Sequence, residues 1–227
     1  MKKTLLTVLA LLVITTLGKS TRPVASTEKP APATPTVHTI YDELHLVDSG
    51  LNRDVFDLAL RGMRKIPGVR PVLSIVDFTQ PSNQKRLYVI DLLSRRLLFN
   101  TYVSHGRNSG DLMPKAFSNV NSSFQSSLGF YQTMNTYQGK HGLSLKLRGL
   151  EKDFNDNAFA RSIVMHGADY VCEDIIKQTG RLGRSQGCPA VSMDMSTPII
   201  QAIKGGSCLF LYYPDMTYLK KSSYVLG

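Results

Sequence analysis

Acidic residues are scarce in this 227-residue chain: 17 Asp and Glu stand against 27 Lys and Arg, a formal net charge of +10. A chain this basic is drawn to polyanions. Its cations are scattered rather than clustered with aromatics, so nucleic acid is not an expected partner. Cysteine is scarce as well. Cys172, Cys188 and Cys208 are the only three, which leaves an odd thiol even if two of them pair. His105, His141, His166 and the cysteines have no short zinc-type spacing, so no metal is expected. Nothing resembles a dinucleotide or phosphate loop, and no cofactor is expected. There is no internal repeat, and after the first twenty residues no segment is long and apolar enough to cross a bilayer.

What is present begins with an export signal. Lys2 and Lys3 precede an almost unbroken apolar run from Leu5 to Leu17, and Thr16-Leu17-Gly18 offers small residues for cleavage. The run is short for a membrane anchor, so residues 1–20 read as a cleaved signal peptide without stable membrane insertion afterwards. Residues 21–40 are rich in Pro, Thr and Ala and read as an extended tether. A helical segment (41–69) and one domain (70–227) follow, roughly 185 residues in all, which is enough for a real core. The expectation is an exported monomer in the periplasm or cell envelope, drawn by its charge to a wall polymer or an anionic membrane face.

Apolar spacing predicts a helix over 52–66, capped by Asn52 and stopped by Pro67-Gly68. Short strands are predicted over 72–78, 86–91, 97–104, 129–136, 143–147, 162–166 and 207–213. A weak helix covers 169–177, and another starts at Thr197 with Pro198 in its first position. The fold class is therefore mainly β, a sandwich or barrel with a few peripheral helices and an N-terminal helix. Polar, glycine-rich loops at 104–110, 126–129 and 138–142, with those around residues 166 and 188, look like the rim of a cleft.

Two of those loops carry chemistry. In Arg181-Leu-Gly-Arg-Ser-Gln-Gly-Cys188-Pro-Ala-Val191, a cysteine lies between glycine and proline on a polar, arginine-flanked loop, which is not how a core residue is placed. Val164-Met-His166-Gly167 puts a histidine at the end of an apolar run upstream. A thiol needs a base or a positive field to become a thiolate at neutral pH, and a nearby imidazole provides either. Gly187 allows close approach of substrate to the backbone, and Pro189 biases Cys188 towards an extended conformation. Cys172 and Cys208 read as buried thiols, with a disulfide between them as the alternative.

These motifs resemble a known family. His166-Gly167 followed by Ser185-x-Gly187-Cys188 is similar to the signature of the YkuD-type L,D-transpeptidase superfamily. The murein L,D-transpeptidase branch is the nearer match, through Leu87-Tyr-Val-Ile-Asp91, His105-Gly-Arg-Asn-Ser-Gly110, Tyr137-Gln-Gly-Lys-His-Gly142 and Asn155-Asp-Asn-Ala158. The likeness covers roughly residues 70–215. The superfamily usually has a second histidine where this chain has Gln186, and a polar residue, often arginine, where it has Ala190.

The resemblance implies an L,D-transpeptidase (YkuD-like) catalytic domain acting on peptidoglycan stem peptides. Cys188 would be the nucleophile. His166 would accept the thiol proton or hold the thiolate as an ion pair, and backbone N–H groups near Gly187 and Cys188 would meet the oxyanion. The group orienting His166 is left open among Asp169, Ser185 and a backbone carbonyl. Gly167, Ser185, Gln186, Arg184, Arg181 and His141 are the expected substrate-binding residues. An L,D-carboxypeptidase or other thiol hydrolase with the same site, and a non-catalytic wall-binding module, are the alternatives.

Overall fold

A computed structural model of the chain describes residues 39–226. The expected signal peptide, and the expected tether but for its last two residues, lie outside the described residues. The strands in chain order are β1 (Arg70–Asp77), β2 (Leu87–Asp91), β3 (Arg96–Thr101), β4 (Gly129–Gly139), β5 (Gly142–Gly149), β6 (Val164–Gly167), β7 (Ala190–Val191) and β8 (Ser207–Tyr212). They form a single eight-stranded sheet ordered β3-β2-β1-β8-β4-β5-β6-β7. Only β1/β8 and β6/β7 pair in parallel. The helices are α1 (Ile40–Glu43), α2 (Arg53–Met63), α3 (Glu173–Thr179), α4 (Met193–Ile203) and α5 (Met216–Lys221). The fold is mainly β with peripheral helices, as the succession of short strands read from the sequence predicts.

The segment before β1 belongs to the same core as the sheet. Tyr41, Leu46, Leu51, Val55 and Phe56 are buried in one cluster with Leu73, Ile75, Phe130 and Phe210. The side chain of Asn52 accepts the N–H of Asp54 and starts α2 where the sequence places the cap. α2 then buries Val55, Phe56, Ala59, Gly62 and Met63. Gly62 makes this close approach possible: a Cβ there would stand 2.1 Å from Cζ of Phe130. Phe130 cannot move aside, because it is stacked between Phe210, with centroids 4.1 Å apart, and Tyr224.

Helix propensity alone says that Gly62→Ala stabilises α2 by up to about 1 kcal/mol. The overlap with a locked ring acts the other way, and overpacking costs about 1–3 kcal/mol. The packing effect is the larger, so Gly62→Ala is expected to lower the melting temperature by several degrees in a calorimetric scan. An unchanged or raised value would show that α2 is free to shift off the sheet.

Two predicted elements begin elsewhere. α4 starts at Ser192 rather than Thr197, and Pro198 lies inside it. Proline removes one intrahelical hydrogen bond. Burial of Ser196, Ile199, Ile200 and Ile203 holds the longer helix in place beside β5 and β6. The helix predicted over 169–177 is α3, which begins after Cys172 and ends at Gly180 with φ +77. β7 and α5 have no counterpart in the sequence reading, being two and six residues long. Cys172, Cys188 and Cys208 are all unpaired, with Cys208 buried in β8.

Candidate active site

The far edge of the sheet builds the site. β6 carries His166 and pairs in parallel with β7, with His166 opposite Ala190. This register brings Cys188, two residues before Ala190, alongside Val164, two residues before His166. The Val164 N–H points at Cys188 Sγ from 3.5 Å, and the sulfur lies 3.7 Å from Ser162 O. Side chains two apart on a strand face the same way. The sulfur and the imidazole accordingly line one cleft of about 600 Å³.

The Cys188 loop is held by backbone bonds on both sides. Ser185 N–H donates to His105 O at 2.9 Å, Arg107 N–H to Ser185 O at 2.7 Å and Ser104 N–H to Ala190 O at 2.8 Å. The Ser185 hydroxyl closes the turn itself, donating to Cys188 O at 2.7 Å and accepting the Gly187 N–H at 3.0 Å. Gly187 has φ +124, and a Cβ there would meet Gln125 O at 2.8 Å, so only glycine fits.

Of the two N–H groups expected to meet the oxyanion, the turn uses that of Gly187. Its N–H is already bonded to Ser185, and its contribution is conformational. Cys188 N–H, which meets no acceptor among the described residues, is the donor left beside the sulfur.

His166 Nδ1 lies 2.8 Å from Gly167 O. A carbonyl only accepts, so Nδ1 carries the proton and Nε2 keeps its lone pair. Of the three orienting groups considered, the backbone carbonyl is the one in contact, and Asp169 is exposed. The ring stacks on His141, with centroids 4.3 Å apart and planes 23° apart. Burial pushes the His166 pKa below its usual value against the pull of the Gly167 carbonyl, and His141 and Lys140 lower it further. Burial also pushes the Cys188 thiol up, partly offset by the Val164 N–H and the charges of Arg161 and Lys140.

The predicted substrate-binding residues divide. Ser185, Gln186, Arg184 and His141 line the cleft. Arg181 does not: its guanidinium binds Asp111 at 2.6 Å, away from the cavity. Arg184 shares Asp111 at 3.2 Å and donates to Gly110 O, yet still borders the opening. Gly167 packs against α4, where a Cβ would meet Ser196 Oγ at 2.9 Å, and it reaches the cleft only by orienting His166.

His105 is buried between Arg86 and Gly110 O, with no place in the cleft. The sequence reading missed Arg161 and Tyr170, both of which line the cavity. The cleft carries Arg107, Lys140, Arg161 and Arg184, and none of its lining residues is Asp or Glu. Among the described residues no group of three or more His, Cys, Asp or Glu could hold a metal ion. No described helix is long and apolar enough to cross a membrane.

Comparison with known proteins adds the following. The sequence pattern of the L,D-transpeptidase catalytic domain matches residues 47–212, which includes α2 as well as the sheet. A search of curated proteins finds no match. Among solved structures, the chain is similar to an L,D-transpeptidase from Mycobacterium smegmatis, at 13% identity and a TM-score of 0.39, covering 63% of this chain and 59% of that one. It is also similar to an L,D-transpeptidase from Mycobacterium tuberculosis H37Rv, at 11% identity and 0.37, covering 63% and 58%. The third is L,D-transpeptidase 3 from Mycobacterium tuberculosis in complex with a faropenem-derived adduct, at 10% identity and 0.38, covering 63% and 60%. The chain thus spans about three fifths of the length of these proteins. The assignment rests on the family pattern, which extends over most of the sheet and both motif loops: the chain belongs to the L,D-transpeptidase catalytic domain family.

Proposed function

We propose that the protein is an exported cysteine acyltransferase of the cell envelope acting on peptidoglycan tetrapeptide stems. The observation that carries this reading is a thiol on the loop entering β7 and an imidazole on the adjoining β6, lining one cationic, carboxylate-free cleft. Cys188 attacks the carbonyl of the third residue, a diamino acid such as meso-diaminopimelate. The C–N bond to the terminal D-alanine breaks, and a thioester remains. An amine from a second stem then takes the acyl group and forms a 3–3 cross-link. Water in place of that amine gives an L,D-carboxypeptidase.

The electrostatics favour one of the two roles considered for His166. The thiol is pushed up and the imidazole down, both by burial, so at neutral pH the proton rests on sulfur. His166 then acts as a general base when substrate arrives, taking the thiol proton on Nε2 and returning it to the departing amine of D-alanine. The carbonyl oxygen of the tetrahedral intermediate finds a donor in the Cys188 N–H. Four cations in the cleft wall suit a stem peptide that brings several carboxylates.

The test is product analysis after incubation with purified tetrapeptide stems. Release of D-alanine from the diamino acid, with dimers linked between third residues, is expected. Release without dimers assigns hydrolysis instead. Stems bound but unchanged would overturn the enzyme reading and leave a wall-binding module.

A further inference from the structure

One half-buried cation of the cleft has no anion among the described residues. Arg161 sits just ahead of β6, half-buried, and all four of its Nη hydrogens are used. Nη1 donates to Ser118 O at 2.7 Å and to Ser127 Oγ, and Nη2 donates to Gln125 O at 2.7 Å and Ser123 Oγ at 3.1 Å. Every one of these acceptors is neutral. Among the described residues no carboxylate lies within ion-pair distance of it, whereas Arg53, Arg95, Arg181 and Arg184 each have one. Charges withdrawn from water are normally paired, because desolvation otherwise penalises them. The same guanidinium touches the Cys188 turn: Nη2 lies 3.4 Å from the point where a Cβ on Gly187 would stand.

Resting on the assignment of Cys188 as nucleophile, we infer that Arg161 is a positioning residue whose counter-ion is the Cys188 thiolate, and that the same side chain pins the 118–127 loop forming one wall of the cleft. Its four Nη hydrogens are committed to that loop, so it acts on the sulfur by its field. The other titratable groups facing the sulfur are Lys140 and His141 from the β4–β5 turn, His166 on β6, Tyr170 after it and Tyr131 on β4. Tyr131 and Tyr170 are held protonated by burial, Tyr170 with its pKa pushed up to about 12. Lys140 lies on a two-residue hairpin tip, and His166 is held neutral by burial, so the fixed positive charge is that of Arg161. Deprotonation moves the thiol proton to His166 Nε2 and leaves the sulfur charge beside the guanidinium, turning an unpaired buried cation into a paired one.

The test reads the thiol without requiring turnover. Iodoacetamide alkylates thiolates, and mapping the modified peptides separates the three cysteines. In the full chain, Arg161→Met is expected to raise the pH midpoint of Cys188 alkylation by about one unit and to slow it about tenfold at pH 7, the scale of losing one nearby opposite charge. Arg161→Lys keeps the charge and loses the fork, so its midpoint stays near that of the parent. Cys172, which does not line the cleft, provides an internal reference that does not move, and buried Cys208 stays unreactive while the fold holds.

If Arg161→Met exposes Cys208, Arg161→Gln, which retains amide donors for the loop, is judged by the same criterion. A parental midpoint in the charge-removing variant overturns the inference, and so does a Lys variant that moves as far as Met. Failure of the nucleophile assignment looks different: Cys188→Ala would then keep D-alanine release, whatever the alkylation profile.

Discussion

Cys188→Ala is expected to abolish D-alanine release, with a fall on the order of 10⁴-fold or more, and to leave stability almost unchanged. Removing a covalent nucleophile leaves only binding and oxyanion stabilisation, and losses of about 10⁴–10⁶ are the usual scale. The small stability effect follows from what the sulfur touches. Its polar contacts are a long N–H approach from Val164 and a weak contact with Ser162 O, while the turn is closed by Ser185 and by backbone bonds that an alanine keeps. The sulfur is also half-buried against the core, so the loss is expected to stay within about 1 kcal/mol.

The paired measurement is intact-mass spectrometry with a carbapenem, a β-lactam class expected to acylate such a thiol. The parent gains an adduct at residue 188, and the variant gains none. Retained turnover in the variant would remove Cys188 from the chemistry, and an adduct on Cys172 would place the reactive thiol elsewhere.

The parts of this site legible in the sequence are those whose signal is local. A cysteine in a Gly-Cys-Pro context and a histidine ending an apolar run declare themselves without a partner in view, and the two loops do meet at one cleft. Most of the sheet was likewise legible, because β1 and β2 are runs of β-branched and large apolar residues and β5 sets Leu143, Leu145 and Leu147 at alternate positions between glycines. What was not legible depended on register or on long-range contact. The parallel pairing of His166 with Ala190 decides which residues flank the sulfur, and β7 is too short to leave a periodic trace.

Arg181 and Arg161 illustrate the same limit from opposite sides. In sequence, Arg181 has the stronger claim, since it stands in the cysteine motif. The exposed Asp111, 70 positions away, draws it off the cleft. Arg161 has no motif signal at all. Its importance comes from four acceptors in the 118–127 loop that only the folded chain assembles. Gly187 was singled out for close approach of substrate, and the structure places Gln125 O there instead.

Acid is expected to loosen the site through a residue outside it, and His105 makes the effect large. His105 is fully buried, with Nδ1 2.8 Å from Arg86 Nη2 and Nε2 3.3 Å from Gly110 O. Arg86 donates, so Nδ1 must accept, and the Nε2 proton goes to the carbonyl; a second ring proton would face a guanidinium. Burial first, and then Arg86, hold its pKa down to about 3, with Arg184 adding to the effect and the Gly110 and Asp111 backbone opposing it. In the unfolded chain the same group titrates near 6.5.

Between those values the unfolded state binds a proton that the folded state refuses, so stability rises with pH across this window and is lost as pH falls from about 6.5 towards 3. The difference amounts to a few kcal/mol, roughly 3–5. The depressed pKa of His166 adds to the same slope. The loop that bears His105 is the one from which the cysteine turn hangs, through Ser185 N–H on His105 O and Arg107 N–H on Ser185 O. Urea unfolding followed from pH 7 to pH 4 is therefore expected to show a steep loss in the parent. In His105→Gln, which cannot take the proton, stability at pH 7 is lower but the slope is shallower. Parallel slopes in the two proteins would mean that His105 does not carry the acid response, and that the brace between Arg86 and the Cys188 loop survives its protonation.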